Sequence, residues 1–312
     1  MNVMTACPVV SVILPTYNRA AFLAAAVDSV LTQTFQNFEL IVVDDGSTDA
    51  TPDVVQAYSD QRLVYLRQNN YGRSAARNKA IGHARGSLIA FLDSDDEYLP
   101  GKLEMQVAFM REHPEIGMVY TSAICIDKDG NSIAYSYSAS AKGSIYKQVA
   151  FFVPITITLP TVMVRREVLE GTGLFDQEMS RFEDTDLWRR IAKHYLVGAI
   201  TTPTCRLRTH DDNALVAQDA EGIVEAIDYY VCKVLREDDD MDPGFLKRGA
   251  AGLYAYYGRA LLRVRGKRAY GLRLFGKAIT YSPAEMPSIF YGWTKAWLQS
   301  RSIRKSLARR RD

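Results

Sequence analysis

Cysteine and histidine are scarce in this 312-residue chain, with four of each. The cysteines lie far apart and form no Cys-x-x-Cys pair, which argues against a zinc module and against a disulfide framework. Met1 to Ala6 carries no lysine or arginine, so a secretory signal is not predicted. The uncharged window from Gln148 to Val164 contains Pro154 and Pro160 and makes a poor membrane-spanning helix. These absences predict a cytoplasmic protein.

Two glycine-rich phosphate-binding patterns are also missing. Neither Gly-x-x-x-x-Gly-Lys-[Ser/Thr] nor Gly-x-Gly-x-x-Gly occurs, so ATPase and dinucleotide-binding interpretations lose their usual support. The composition is otherwise globular, with 47% hydrophobic and 24% charged residues. The length fits one large domain or two medium ones.

The net charge of +2 hides a strong asymmetry along the chain. Phe245 to Asp312 holds sixteen basic residues and two acidic ones, whereas the remainder is acidic on balance. Because basic helices with Tyr291, Trp293 and Trp297 suit an anionic membrane surface, we expect a peripheral position at the inner face of the membrane. The alternatives are a solvated helical face, or packing against the acidic half of the same or another subunit, as in a homo-oligomer. Nucleic acid is not expected as a partner, since no nucleic-acid-binding fold accompanies the charge.

Apolar runs alternate with helical patterns in the first hundred residues. The predicted strands are Val9 to Leu14, Phe38 to Val43, Leu63 to Leu66 and Leu88 to Leu92. Strands separated by helices pair in parallel, so this part predicts an α/β sheet with helices on both faces. Polar residues follow the first, second and fourth strands, at the sheet edge where such folds bind ligands.

The middle of the chain loses this alternation. Strands are predicted at Met118 to Ile126, Ser132 to Tyr137 and Thr161 to Val164, and a helix at Glu183 to His194. Beyond about Leu215 the pattern is helical, with a hairpin around Gly266.

Asp93 and Asp95 follow the fourth predicted strand and are two residues apart. In extended backbone both carboxylates project to one side, and such oxygen ligands suit Mg²⁺ or Mn²⁺. The alternative is that Asp95 or its neighbour caps the next helix. Asp44 and Asp45 have a similar alternative, a turn-forming Asp-Asp-Gly.

Four runs carry a family resemblance: Val10 to Arg19, Gln33 to Asp49, Gly72 to Asn78 and Phe91 to Asp96. In order and spacing they resemble the inverting glycosyltransferases of family two, which have the GT-A fold. The match is dense over residues 9 to 96 and weaker to about 210.

The resemblance implies a mostly parallel, Rossmann-like sheet with helices on both faces. We expect the catalytic domain at 1–214, with a donor half to about 100 and an acceptor half beyond. The helical pattern beyond about Leu215 and the basic charge predict a helical, basic C-terminal region at 215–312. The resemblance further implies transfer of one sugar from a nucleotide-diphosphate donor, UDP-linked by family habit, with Mn²⁺ or Mg²⁺. The acceptor would be a hydroxyl of a saccharide or lipid-linked saccharide.

The resemblance also assigns roles to individual donor-side residues. Pro15, Thr16, Tyr17 and Arg19 match the loop around the nucleotide base and ribose, Asp44 the acid that hydrogen-bonds the base, and Arg73 the donor segment. Asp45, next to Asp44, is also expected to bind the nucleotide sugar. Asp93, Ser94 and Asp95 match the Asp-x-Asp motif, whose last acid binds the metal bridging the diphosphate.

On the acceptor side, Asp184 matches the general base, with Glu183 and Trp188 beside it. The alternative is that these acids complement a helix dipole and that Trp188 packs in the core. Arg206 and His210, after a predicted edge strand, match possible diphosphate contacts.

Two other functions remain open on the sequence alone. A non-catalytic sugar-nucleotide-binding or scaffold protein of the same fold is one. A sugar nucleotidyltransferase is the other, but Pro15 to Arg19 is not its glycine-rich, lysine-containing triphosphate loop.

Overall fold

The computed structural model describes residues 7–151, 157–209 and 219–283. These residues fall into two compact units. Unit 1 draws on Met1–Val149, Pro154–Glu178 and Glu183–His210, and unit 2 on Ala150–Val153, Met179–Phe182 and Asp211–Asp312. Two short segments therefore belong to unit 2 although they lie far upstream of its main part. The division into domains at 214 and 215 stays a prediction.

Unit 1 contains a nine-stranded sheet within the described residues. Its strands are β1 (Val10–Thr16), β2 (Phe38–Asp44), β3 (Leu63–Arg67), β4 (Leu88–Phe91), β5 (Glu97–Tyr98), β6 (Ile116–Ile126), β7 (Ser132–Tyr137), β8 (Met163–Arg165) and β9 (Leu196–Arg208). Their order is β3-β2-β1-β4-β8-β6-β9-β5, and β7 pairs with β6 outside that path. Pairing is parallel from β3 to β4, as the alternating pattern predicted.

Beyond β4 the sheet becomes mixed. Strand β8 runs antiparallel to both β4 and β6, whereas β6 and β9 are parallel. Strands β5 and β7 are antiparallel to their partners. The predicted α/β class is confirmed, and its parallel part is the first half.

The helices of unit 1 flank this sheet. They are α1 (Ala20–Leu31), α2 (Thr51–Gln56), α3 (Arg73–His83), α4 (Lys102–Glu112), α5 (Tyr146–Val149), α6 (Arg166–Thr172) and α7 (Glu183–His194). Leu23, Val27 and Val30 recur at helical spacing on α1 and are fully buried in one cluster with Val12 and Leu40 of the sheet. These three residues therefore form the face that α1 turns to the core.

Strand β1 continues two residues past its predicted end, through Pro15 to Thr16. The amide of Asp45 donates to Thr16 O at 2.9 Å, so the backbone polar groups of Thr16 point towards β2. Pro15 then faces the other side, where β4 has already ended at Phe91. A proline is accommodated because no ladder hydrogen bond needs its missing N–H.

Among its described residues, unit 2 contains three long helices, α8 (Ala220–Glu237), α9 (Pro243–Arg263) and α10 (Arg268–Tyr281). Gly266, with φ of 81°, lies in the turn of the predicted hairpin. Asp228 accepts a hydrogen bond from the Tyr254 hydroxyl at 2.8 Å and also pairs with Lys277, which links the three helices. None of the helices in the described ranges is both long and apolar enough to cross a membrane.

Helices α9 and α10 approach closely at two glycines. A Cβ on Gly271 would lie 2.9 Å from the carbonyl oxygen of Gly258, so the backbones would have to separate.

We expect Gly271→Ala to lower the free energy of unfolding by about 1–3 kcal/mol. Gly276→Ala is the matched control on the same helix, because its Cβ would meet nothing within 4 Å. That change is expected to raise stability by up to about 1 kcal/mol. Urea unfolding of both variants measures the difference, and equal values would contradict the close helix contact.

Candidate active site

The loop after β1 is tied to the loop after β2. Asn18 has φ of 51°, its amide donates to Ser47 Oγ at 2.9 Å, and its Oδ1 accepts from the Thr48 amide at 2.8 Å. Asparagine is one of the few residues that adopt such a backbone readily. Tyr17 is left 44% exposed, whereas Thr16 is buried and its Oγ1 has no hydrogen-bond partner among the described residues. A fixed loop with an exposed ring and an unsatisfied hydroxyl is suited to receiving a ligand.

Asp44 and Asp45 organise the neighbouring loops. Asp44 is fully buried and accepts from the Ser47 amide and the Tyr65 hydroxyl, both at 2.8 Å. Asp45 accepts from the Gly72 amide at 2.8 Å, which holds the start of α3. These hydrogen bonds are the ones expected from the alternative interpretation, in which the Asp-Asp-Gly sequence forms a turn. Base binding by Asp44 and nucleotide-sugar binding by Asp45 stay predictions.

The acidic turn after β4 lies beside the first loop. The side chains of Asp93 and Asp95 are 35% and 21% exposed, and Arg19 Nε is 3.9 Å from Asp95 Oδ2. Asp96 is buried instead and accepts from the Arg208 amide at 2.7 Å. Burial, together with the charges of Asp93 and Asp95, raises the pKa of Asp96 well above its ordinary value.

The helix-capping alternative for this turn is wrong. Helix α4 has Gly101 at its N-cap, and no side chain caps it. The carboxylates of Asp93 and Asp95 are thus not used to begin a helix.

The partly exposed carboxylates of Asp93 and Asp95 fit a divalent metal ion. In the part of the chain that the structure describes, no group of three or more His, Cys, Asp or Glu side chains could hold a metal alone. Asp93 and Asp95 supply hard oxygen ligands, which Mg²⁺ and Mn²⁺ prefer. Two carboxylates without further protein ligands suit an ion that also binds substrate phosphates.

The first turn of α7 is joined to the acidic turn by basic residues of α3. Arg73 Nε lies 2.7 Å from Glu183 Oε1. Arg77 Nη1 donates to the same oxygen at 2.9 Å, and its Nη2 donates to Asp93 Oδ1 at 2.8 Å. Arg77 therefore connects the two carboxylate centres that the sequence predicted separately.

Asp184 is half-buried next to this pair of arginines. Burial, and then the charge of Glu183, raises the pKa of Asp184 to about 6, while Arg77 opposes the shift. Phe182, just before the helix, has φ of 67°, an outlier for a bulky residue. A carboxylate with a pKa near neutrality is suited to accept a proton from a substrate hydroxyl.

Trp188 packs in the core of unit 1 and not at the surface. It is 1% exposed, and its ring centroid lies 5.9 Å from that of Phe91 and 6.4 Å from that of Phe175. The acceptor-side prediction for Trp188 is therefore wrong, because a sugar cannot reach the ring. Asp186 is also buried and pairs with Arg190 at 2.9 Å. The neighbouring acid whose charge raises the pKa of Asp184 is Glu183.

The predicted diphosphate contacts near residue 206 need a correction. Arg206 lies within β9, which is an interior strand between β6 and β5, and not after an edge strand. Its Nη1 is 3.6 Å from Glu97 Oε2, and its side chain is 47% exposed. A diphosphate contact through Arg206 stays a prediction, and His210 lies outside the described residues.

Sequence reasoning missed Arg77 as a site residue. The available signal was its position four residues after Arg73, which places both on one face of α3. Arg208 also supports the acidic turn: its Nη2 donates to Glu97 Oε1 at 2.6 Å and its Nε to Asp95 O at 3.0 Å. Both guanidiniums support the acidic turn through direct hydrogen bonds.

The sheet topology and the acidic turn at the end of β4 place the protein in the GT-A class of glycosyltransferases. The model of the family "Glycosyl transferase family 2" matches residues 11–173. The chain belongs to this family.

Two curated relatives illustrate the sequence similarity. The chain is 37% identical over 205 residues to an uncharacterized glycosyltransferase of Rickettsia bellii, covering 65% of this chain and 29% of that protein. It is 37% identical over 193 residues to WfgD of Escherichia coli, covering 61% and 72% of the two chains. WfgD is named a UDP-Glc:α-D-GlcNAc-diphosphoundecaprenol β-1,3-glucosyltransferase. The match thus spans less than a third of the Rickettsia relative.

Two solved structures share the fold. Staphylococcus aureus TarS 1–349 in complex with UDP-GlcNAc has a TM-score of 0.68 at 20% identity, covering 96% of this chain and 91% of TarS. The mannosyltransferase PcManGT of Pyrobaculum calidifontis, in complex with GDP-Man and Mn²⁺, has a TM-score of 0.58 at 23% identity. That match covers 93% of this chain and 80% of PcManGT.

Proposed function

We propose that this protein is a metal-dependent inverting glycosyltransferase, which moves one sugar from a UDP-sugar to a hydroxyl of a saccharide or lipid-linked saccharide. The observation that carries the proposal is the link between two carboxylate centres. Asp184, in the first turn of α7, has a raised pKa, and its neighbour Glu183 is joined through Arg77 to the Asp93-x-Asp95 turn.

The proposed donor site is the edge of the sheet at the ends of β1, β2 and β4. Tyr17 and Thr16 would face the base and ribose, with Pro15 and Arg19 framing the loop. Arg73 is 53% exposed beside Glu183 and can reach a diphosphate. UDP is favoured because TarS is described with UDP-GlcNAc and WfgD is named for UDP-Glc. GDP and dTDP are the alternatives, and PcManGT is described with GDP-Man.

The acidic turn is the proposed metal site. Asp95, with Asp93 beside it, would hold Mn²⁺ or Mg²⁺, and Ser94 lies between them. When bound there, a divalent ion supplies positive charge for the departing diphosphate. Support comes from the exposed carboxylates and from the Mn²⁺ that PcManGT is described with.

Asp184 is the proposed general base. Its Oδ1 accepts from the Thr185 amide at 2.7 Å, which fixes the carboxylate and leaves Oδ2 for the acceptor hydroxyl. Asp184 takes the hydroxyl proton as the acceptor oxygen attacks the anomeric carbon. The bond from that carbon to the diphosphate oxygen breaks, and its electron pair leaves with the diphosphate. A single displacement from the opposite face inverts the anomeric configuration.

A lipid-linked acceptor is favoured by the name of WfgD, which specifies a sugar on diphosphoundecaprenol. The direct test is a transfer assay with UDP-glucose or UDP-GlcNAc, Mn²⁺ and polyprenyl-diphosphate sugars. UDP release and the anomeric coupling constant of the product are measured together. A β product from an α-linked donor supports inversion. A product that keeps the donor configuration contradicts it.

The anionic membrane is the proposed partner of unit 2. Tyr291, Trp293 and Trp297, on which the sequence-based expectation rests, lie outside the described residues. From Pro243 to Pro283 the described chain has nine basic residues and no acid. Arg248, Tyr256 and Arg263 fall on one stripe of α9, at helical spacing, and all three are exposed. Arginine beside an exposed tyrosine suits the interface of an anionic bilayer.

Charge reversal on this stripe is the corresponding prediction. We expect Arg248→Glu with Arg263→Glu to weaken binding to phosphatidylglycerol vesicles by at least about 30-fold, because loss of each basic residue alone costs roughly 1 kcal/mol. Arg111→Glu with Lys128→Glu is the matched control, because both residues are exposed on unit 1. Vesicle co-sedimentation measures the binding, with phosphatidylcholine vesicles as the neutral reference. Equal losses in the two double variants would contradict a specific α9 surface.

A further inference from the structure

Arg77 is a nearly buried cation with two anionic partners from distant parts of the chain. Its side chain is 5% exposed, and its two terminal nitrogens donate to Asp93 and Glu183. These partners are 16 and 106 residues away in sequence. Arg73 also reaches Glu183, but its side chain is 53% exposed.

The guanidinium of Arg77 is held on a rigid support. It lies over the ring of Phe175, 5.3 Å from the centroid. The side chain of the next residue, Asn78, bonds the Phe175 backbone twice, at 2.8 Å to its carbonyl oxygen and 3.0 Å from its amide. The Phe175 ring in turn packs edge-on against Phe91. The position of the cation is thus fixed by an aromatic ring as well as by its two carboxylates.

This arrangement is not the one that stability alone would select. Arg77 Nε is buried without a hydrogen-bond partner among the described residues, which costs stability. Apolar side chains of similar volume often replace buried ion pairs without loss of stability. Because the side chain is nearly inaccessible, Arg77 acts on substrates only through the groups that it holds.

We infer that Arg77 is a positioning residue that fixes the distance between Asp93, at the proposed metal site, and the first turn of α7, which carries the proposed base. This distance aligns the donor and the acceptor for in-line attack. The inference rests on the proposed function. It assigns to Arg77 a geometric task that needs two donors in a planar fork, which lysine cannot supply. Alignment matters because a displacement of about 1 Å can lower the rate of a reaction about 10²-fold.

Two variants separate the geometry of Arg77 from its charge. Arg77→Lys keeps a cation but loses the fork, and Arg77→Gln loses both. We expect kcat to fall about 10- to 100-fold in both variants, with the KM for the donor changed by less than about threefold. Only Arg77→Gln should also move the acid limb of the kcat/KM profile to higher pH, because Arg77 lowers the pKa of Asp184.

A matched arginine tests for a merely structural role. Arg85 bonds the buried Glu39 through its Nε at 2.8 Å, and this pair lies at the opposite end of β1 and β2. We expect Arg85→Lys and Arg85→Gln to lower the melting temperature while kcat stays at the wild-type value. If Arg77→Gln does not fold, Arg77→Lys still decides, since it retains the buried charge.

The result that would overturn the inference is a normal kcat in Arg77→Lys while the wild-type enzyme is active. A loss confined to melting temperature in both Arg77 variants would overturn it equally. Inactivity of the wild-type chain with every donor would instead contradict the proposed function, and the inference with it. The two failures are therefore distinguishable in one set of assays.

Discussion

Replacing Asp184 with asparagine is expected to lower kcat about 10²- to 10⁴-fold, the range that general base catalysis contributes. The change keeps the size of the side chain and removes its ability to accept the proton of the acceptor hydroxyl. The affinity for UDP should stay within about threefold of the wild-type value, because Asp184 is not among the proposed donor contacts. Single-turnover transfer and UDP titration measure the two quantities separately.

The raised pKa of Asp184 adds a pH dependence to this prediction. A base with a pKa of about 6 must be deprotonated to act, so kcat/KM of the wild-type enzyme should fall as the pH drops below about 6. The folded pKa is above the ordinary value of 3.8, so the protonated form is favoured in the native state. The stabilisation that this pKa shift gives to the folded state is present at low pH and is lost as the pH rises through about 6. The asparagine side chain mimics the neutral acid, so the Asp184→Asn variant should melt no lower than the wild type at pH 7.

Glu167→Gln is the control for this experiment, because Glu167 is an exposed acid on α6 of the same unit. It should leave kcat and the acid limb unchanged. Wild-type kcat in Asp184→Asn would show that another group accepts the proton.

Asp95→Asn is expected to lower kcat/KM about 10²- to 10³-fold, because a metal ion contributes several kcal/mol of charge stabilisation in such reactions. The amide is a weaker metal ligand than the carboxylate. The variant should also lose the dependence of UDP binding on Mn²⁺. Calorimetric titration of UDP with Mn²⁺ or with EDTA measures that dependence directly.

Asp53→Asn provides the matched change of charge for this experiment. Asp53 is exposed in the first turn of α2, far along the chain from the acidic turn. The Asp53→Asn variant should bind UDP as the wild type does. Retention of full Mn²⁺ dependence in Asp95→Asn would contradict the assignment of the metal site.

The parallel half of the fold was predictable because each strand is a short apolar run and each helix has one buried stripe. The helix at Glu183–His194 was predicted with the same bounds as in the structure. The boundary of β1 was harder, because proline usually ends a strand. Whether Pro15 could stay in β1 depended on where β4 ends, which is a tertiary fact.

The site was predictable as a set of carboxylates but not as an arrangement. The Asp93-x-Asp95 turn follows a strand, so local sequence placed it at the ligand-binding edge. The bridge from Arg77 to Glu183 spans 106 residues, and no local pattern reports such a contact. Trp188 was misassigned for a related reason, since a helical wheel cannot show that Phe91 and Phe175 cover the ring.

The most direct test of the proposed function is the melting temperature of the full chain with UDP, GDP, dTDP, CDP and ADP, each with Mn²⁺ or EDTA. A nucleotide that binds the native state raises the midpoint by mass action. We predict that UDP with Mn²⁺ raises the melting temperature, that EDTA abolishes the rise, and that Asp95→Asn does not respond. A chain that no nucleotide stabilises under either condition would contradict the nucleotide-sugar site and favour a non-catalytic scaffold of the same fold.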